Sequence, residues 1–238
     1  MAPQPQGGGM GMSEAAMAGP HPHLAARLAA LAPQQPATAR RAHVVVPLRT
    51  AHLRLRLVTA ADVPALQAHW SLAEVRGHLF EGGGIDLDAA ARLVAAAQET
   101  AEQHEGGLWL ATRLDDGRFV GTGALLRLSA HTPLELLLTV EPAARGCGLA
   151  TEVGQRLLRH AFDELHVAIV LADVNAPNPA TRRLAARLGM RAERRASWPG
   201  SQFFFIDRNM RAAAGHVRPD WHESQPMPLP PSSSRERC

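Results

Sequence analysis

The segment Arg145-Gly146-Cys147-Gly148-Leu149-Ala150-Thr151 joins an apolar run that ends at Val140 to an amphipathic run that opens at Leu149. An arginine and two glycines at a strand-to-helix junction make a place for an anion. Backbone N–H groups point into such a turn, and the helix dipole adds about half a positive charge at its N-terminus. Gly146 and Gly148 would let a bulky phosphate pair approach the backbone without a Cβ in the way, and Arg145 would add a charge-assisted contact. Two better-known phosphate loops do not fit. A P-loop needs Lys-Ser/Thr after its last glycine, and the chain has no lysine; a dinucleotide fingerprint needs Gly-x-Gly-x-x-Gly, and Thr151 stands at the third glycine. From these residues alone, the turn either holds an anion or is a glycine-rich connection with no ligand.

The elements on either side must position that turn. "HLRLRLV", His52 to Val58, alternates with period two and predicts a strand with Leu53, Leu55 and Leu57 facing in. Thr59 and Asp62 offer a capping-box-like start for a helix through Trp70. The alanine-rich stretch Asp86 to His104 predicts a helix with Leu87, Ala90, Ala91, Val94 and Ala97 along one face. Asp116-Gly117, between two apolar runs, predicts a hairpin. Leu134 to Val140 is nearly continuously apolar and reads as a central strand. After the turn, Leu149, Val153, Leu157, Ala161 and Leu165 mark a long amphipathic helix. Val167 to Val174 is a further buried strand; Asn178-Pro179 caps and starts a helix that Gly189 ends; "MRAERRASW" and "SQFFFIDRN" give a last strand pair. The expected architecture is one α/β domain, a mixed central sheet of about six to seven strands flanked by helices, with an antiparallel meander that turns parallel.

Composition bounds the chemistry. All 25 basic residues are arginine and tyrosine is absent, so neither a lysine Schiff base nor a phenolic acid is available. A formal charge of +3 is too small to mark a nucleic-acid surface by itself. Two cysteines, Cys147 and Cys238, make no disulfide framework and point to a reducing, cytoplasmic setting. No apolar run approaches the ~20 residues of a membrane span, and the N-terminal stretch lacks the basic and apolar regions of a signal peptide. The twelve histidines form no His-x-x-x-His pair on a helix and lack a cysteine partner, so no metal site is expected. Residues 1–42, rich in Pro, Gly and Gln, read as a disordered extension with a marginal helix at His23 to Leu31. Residues 215–238 read as a Pro/Ser-rich tail, and 43–214 as the folded unit.

Arg145-x-x-Gly148-x-Ala150 resembles the pyrophosphate-binding signature of the GNAT acetyltransferase superfamily, and its flanks are similar to the branch that includes ribosomal-protein alanine N-acetyltransferases. "VNAPNPATRRLAARLGM" resembles that branch's second motif, with Asn178, Thr181 and Gly189 in the matching places. The resemblance covers about Arg49 to Arg208 and implies a single GNAT-like domain. It implies acetyl-CoA as donor and a primary amine as acceptor, a protein N-terminus or a small molecule, with the enzyme a monomer or homodimer. The backbone near Thr139 and Val140 would pair with the pantetheine arm, and Arg145, Gly146, Cys147, Gly148, Leu149, Ala150 and Thr151 would hold the pyrophosphate. Asn178 and Thr181 would meet the pantetheine or the helix start. Direct transfer needs a neutral amine, a donor to the thioester oxygen and in-line positioning. Glu135 stands where this branch often carries a glutamate and is the candidate general base, working through a water. A one-residue register change would turn it to the other face of the sheet.

Two departures qualify the likeness. Ala185 stands where many members carry a tyrosine that protonates the leaving thiolate, leaving water or Thr181 for that step. Cys147 replaces a residue that is often basic or polar; with no base visible beside it, it reads as a passive loop residue rather than a nucleophile, its thiol accessible and somewhat activated by the helix N-terminus. Trp70, His78, Phe80 and Glu81 fall in the segment that shapes the acceptor cleft in the family, and His160 reads as a surface residue. Two other readings fit parts of the sequence. A non-catalytic acyl-CoA-binding domain would keep the fold and lose the reaction. A helix-turn-helix would use Arg182, Arg183, Arg187, Arg191, Arg194 and Arg195 on phosphates, but no recognition helix follows Gly189.

Overall fold

Alternating leucines build the first long strand of the sheet. In the computed structural model, which describes residues 47–79, 83–103, 106–127, 132–175, 178–193 and 201–214, Leu53 and Leu55 are wholly buried while Arg54 between them is exposed. That strand, β2 (Leu53–Leu57), pairs antiparallel with the short β1 (Leu48–Arg49) and with β3 (Gly107–Arg113). The Asp116-Gly117 hairpin returns the chain into β4 (Phe119–Arg127), and β5 (Leu134–Val140) completes the antiparallel meander. β6 (Ile169–Asn175) then pairs parallel with β5, and β8 (Ser201–Asp207) with β7 (Arg191–Ala192) closes the far edge. Among the described residues the sheet has eight strands in the order β1-β2-β3-β4-β5-β6-β8-β7, so the apolar run Leu134–Val140 is central as its pattern predicts. The count exceeds the expected six to seven because β1, two residues long, is too short to show a period, whereas β7 falls within the predicted strand "MRAERRASW".

Helices cover both faces. α1 (Val63–Ser71), α2 (Ala73–Leu79) and α3 (Leu87–Glu102) pack with Leu108, Leu110, Ala124 and Leu126 in one apolar layer. The other layer joins Leu55, Trp109, Leu134 and Leu136 to α4 (Leu149–Arg159) and α5 (Pro179–Arg187). Fully burying a leucine is worth about 1.5–3 kcal/mol, so Leu157 and its neighbours fix α4 against the sheet. α4 ends in a π turn at His160–Glu164, and the last helix is α6 (Arg208–Ala214). Thr59 and Asp62 do form the expected capping box before α1. The face of α3 is rotated from expectation: Ala90, Leu93, Val94, Ala97 and Ala101 are buried, whereas Leu87 is 52% exposed and Ala91 faces solvent. No helix among the described residues is long and apolar enough to cross a membrane. The expected extension, its marginal helix and the tail lie outside the described residues.

Candidate active site

The ladder between β5 and β6 joins only Leu134 to Val170 and Glu135 to Leu171 among the described residues, although each strand has seven residues. Beyond that point the two parallel strands part. Their open, C-terminal ends are where ligands enter sheets of this kind. A cleft of about 510 Å³ lies there, with Leu138, Thr139 and Val140 of β5 on one wall.

The N-terminus of α4 points into this cleft. Its N-cap is Gly148, in the left-handed region at φ 79°, and Gly146 two residues earlier has φ 86°. A left-handed turn of this kind disfavours any residue with a Cβ. Glycine also brings no side-chain oxygen to the first turn, so that turn can present its N–H groups to an anion. A Cβ built at either position would meet no protein atom within 4 Å, which leaves room above the turn for a bulky anion. Arg145, Gly146, Gly148, Leu149, Ala150 and Thr151 all line the cleft. Cys147 does not: it is half-buried and disulfide-bonded, not the free thiol expected from the sequence.

A second helix start faces the same space. The Asn178 side-chain oxygen accepts from the backbone N–H groups of Ala180 and Thr181, both at 3.1 Å, and Asn178, Thr181, Arg183 and Arg187 line the cleft. Two N-terminal dipoles and three guanidinium groups thus converge on one volume, a strong preference for a polyanion. In the sequence Arg183 and Arg187 read either as part of a solvated helix face or as groups that meet a negatively charged coenzyme, and here both line the cleft. Gly189, at φ 78°, turns the chain from α5 into β7. Ala185, in the place of the family tyrosine, is buried among core residues rather than facing the cleft.

A buried polar chain runs behind Thr139. His69 of α1 is 2% exposed; its Nδ1 lies 2.6 Å from Oε1 of Glu141, and its Nε2 lies 2.7 Å from Oγ1 of Thr139. Thr139 Oγ1 is in turn 2.7 Å from Oγ1 of Thr122 and accepts from the Thr122 backbone N–H at 3.2 Å. The edge of the His69 ring meets Phe119, with centroids 5.0 Å apart. Burial holds the His69 imidazole below the usual histidine range; Glu141 opposes that shift and the Arg145 charge adds to it. Sequence reasoning passed over His69. The signal was its place on the apolar face of α1, beside the buried Val63, Leu66 and Trp70, where an imidazole needs partners for both nitrogens.

Glu135 sits elsewhere. It is 4% exposed on the same face of β5 as Leu137 and Thr139, opposite Leu126, and does not line the cleft. Four residues of strand, about 13 Å, separate it from Thr139. Trp70 is 4% exposed and lines a small cavity shared with Thr139 and Leu137, while the His78 side chain, Phe80 and Glu81 lie outside the described residues. His160 bonds Glu164 through Nδ1 at 2.8 Å and packs its ring against Trp109, a structural contact in the π turn. No group of three or more His, Cys, Asp or Glu among the described residues could hold a metal ion.

The fold has counterparts in known proteins. A family model described as an acetyltransferase (GNAT) domain matches residues 52–191. A Bacillus subtilis (strain 168) protein described as the uncharacterized N-acetyltransferase YoaA is 25% identical over 147 residues, 61% of this chain and 83% of its own. Among solved structures, a ribosomal-protein-S5-alanine acetyltransferase from Vibrio fischeri superposes with a TM-score of 0.57 at 12% identity, covering 69% of this chain and 98% of that one. A spermidine N-acetyltransferase from Vibrio cholerae, in complex with CoA and spermine, does so with a TM-score of 0.56 at 16% identity, covering 67% and 98%.

Proposed function

The chain belongs to the GNAT acetyltransferase family and is an acyltransferase; on that footing we propose that it moves the acetyl group of acetyl-CoA directly to a primary amine, with residues 43–214 as the catalytic unit. One observation carries the reading. The parted ends of β5 and β6, the glycine-capped start of α4 and the Asn178-capped start of α5 meet in a single cleft. Among the described residues the β5–β6 ladder stops short of Thr139 and Val140, and their backbone on that side meets the pantetheine arm. The Arg145–Thr151 turn receives the pyrophosphate, with Asn178, Thr181, Arg183 and Arg187 on the facing wall.

The acceptor is an amine of a protein N-terminus or a small molecule, in a branch close to the ribosomal-protein alanine acetyltransferases. The two solved relatives are named for amine acceptors, an alanine of ribosomal protein S5 and spermidine. An α-amino group with a pKa of about 8 is partly neutral near pH 7, whereas a primary amine near 10 needs more help to lose its proton. The thioester oxygen needs an N–H donor as charge develops, and holding both reactants in line removes several kcal/mol, about 7 or more, from the barrier.

Titration calorimetry with acetyl-CoA tests the coenzyme site. The wild-type chain binds, and Gly148→Trp, which fills the space above the turn, loses affinity by about tenfold or more. Equal affinity in the two chains overturns the assignment. Release of free thiol across N-terminal peptides, polyamines and other small amines then identifies the acceptor.

A further inference from the structure

We propose that His69 is the proton acceptor of the transfer, reached through the Thr139 hydroxyl and held in one tautomer by Glu141. The inference rests on the acetyl-transfer reading above and assigns a role to residues that reading leaves unused.

Hydrogen-bond accounting gives the chain a direction. A carboxylate only accepts, so Nδ1 of His69 carries the proton that bonds Glu141. The neutral ring then has its lone pair on Nε2, and the Thr139 hydroxyl must donate to it. The lone pairs of Thr139 Oγ1 accept from the Thr122 N–H and from the Thr122 hydroxyl. Carboxylate, imidazole and hydroxyl are thus in series at 2.6 and 2.7 Å, the order in which a side-chain base and its orienting group are built in hydrolases. The outer end of the series lines the cleft at Thr139. The inner end reaches solvent, because the Glu141 side chain is 26% exposed while that of His69 is 1% exposed.

The step balances. The amine nitrogen bonds the thioester carbon, the C–S bond breaks, and its electron pair leaves on sulfur. The new ammonium displaces the Thr122 hydroxyl from one lone pair of Thr139 Oγ1 and gives its proton there, as the Thr139 proton passes to Nε2. His69 becomes an imidazolium beside the Glu141 carboxylate. The thiolate takes a proton from water, and His69 returns its extra proton from Nε2 through the Thr139 hydroxyl to water in the cleft, so Nδ1 keeps its proton on Glu141. The charged groups facing the ring are Glu141, which favours the imidazolium, and Arg145, which opposes it; Phe119 gives the ring an apolar edge. A ring kept neutral by burial is ready to accept at neutral pH.

His69→Gln, Thr139→Val, Thr139→Ser and Glu135→Gln in the full chain test this, each with acetyl-CoA affinity, kcat and a pH profile measured on the best amine found. In His69→Gln, kcat falls by about 100-fold or more while acetyl-CoA affinity stays within about twofold, and the acidic limb of the wild-type profile disappears. Thr139→Val matches that loss, and Thr139→Ser recovers most of it because the hydroxyl returns. This pair keeps the test intact should His69→Gln fail to fold. Glu135→Gln retains the acidic limb. A kcat within about threefold of wild type in His69→Gln overturns the relay, as does a limb that survives there and vanishes in Glu135→Gln. A wild-type chain that neither binds acetyl-CoA nor releases thiol sinks the parent reading instead, so the two failures are distinct.

Discussion

Replacing Asp62 by Asn keeps the side chain's size and removes the charge that fixes the start of α1, the helix that delivers His69. Both Asp62 oxygens are engaged by the Arg56 guanidinium, at 2.6 and 2.7 Å, and Oδ2 also accepts from the Thr59 N–H and hydroxyl. These partners, Arg56 first, hold the Asp62 carboxyl at about 2 against an ordinary 3.8. A difference of that size corresponds to ~2 kcal/mol of folding stability at neutral pH, which partial solvent screening of Arg56, 39% exposed, trims to ~1.5 kcal/mol. An amide in its place turns an N–H₂ group towards the guanidinium and loses most of this. For a domain of this size a loss of ~1.5 kcal/mol lowers Tm by about 3–6 °C. The pH dependence is the sharper signature. Because the folded-state value is depressed, the contribution is complete above about 4 and is lost as pH falls through about 2. Urea melts of both chains at pH 6 and near pH 3 should therefore show the gap between them shrinking by roughly half. A gap below about 0.5 kcal/mol at pH 6, or one unchanged near pH 3, refutes the account of Asp62.

Three further outcomes follow from packing and capping. Gly121, at φ 150°, lies where a Cβ would stand 2.0 Å from the Thr139 carbonyl oxygen, so Gly121→Ala must push β4 from β5. It should cost about 2 kcal/mol or more and lower kcat along with stability, read by thermal melts and thiol release. Asn178→Ala removes the acceptor for two backbone N–H groups and should cost ~1 kcal/mol, while Asn178→Asp keeps the cap and weakens acetyl-CoA binding through its negative charge, as calorimetry would record. Leu87→Gln, at a position 52% exposed, should leave stability within about 0.5 kcal/mol; a larger loss would mean that the face of α3 turns the other way.

Where one element's own period decides the outcome, the sequence is readable. β2 alternates because one face meets solvent, β5 is apolar on both faces because helices cover both, and Gly148 marks the turn because a left-handed N-cap demands it. The alanine-rich α3 was misread by a rotation, since alanine is at home on either face and lends no phase to the pattern. The polar chain was invisible for another reason. His69 and Glu141 lie 72 residues apart, and their meeting depends on how α1 is rotated over a strand whose register is set by β4. Glu135 shows the same limit from the other side. Its face could be tied to the register, yet its depth along the strand, at the closed end of the β5–β6 ladder, could not be read from spacing.

Proton accounting ties these elements together. Acetyl transfer to a neutral amine leaves one proton to remove from nitrogen and one to supply to sulfur. Position 185 could do neither, because it faces the core, so a tyrosine there would overpack the layer holding Leu188 and Met190 rather than reach the cleft. On the α5 wall, the helix start offers the Thr181 hydroxyl and the arginines offer charge but no base. The opposite wall carries the Thr139 hydroxyl, bonded to an imidazole, and that imidazole rides on α1 rather than on the Arg145–Thr151 turn. Removal of the amine proton is thus assigned to a helix that binds no phosphate. Changes at Asp62 or His69 should alter kcat, and changes at Gly148 or Asn178 should alter coenzyme affinity. A variant set that moved both quantities together from either wall would contradict that division.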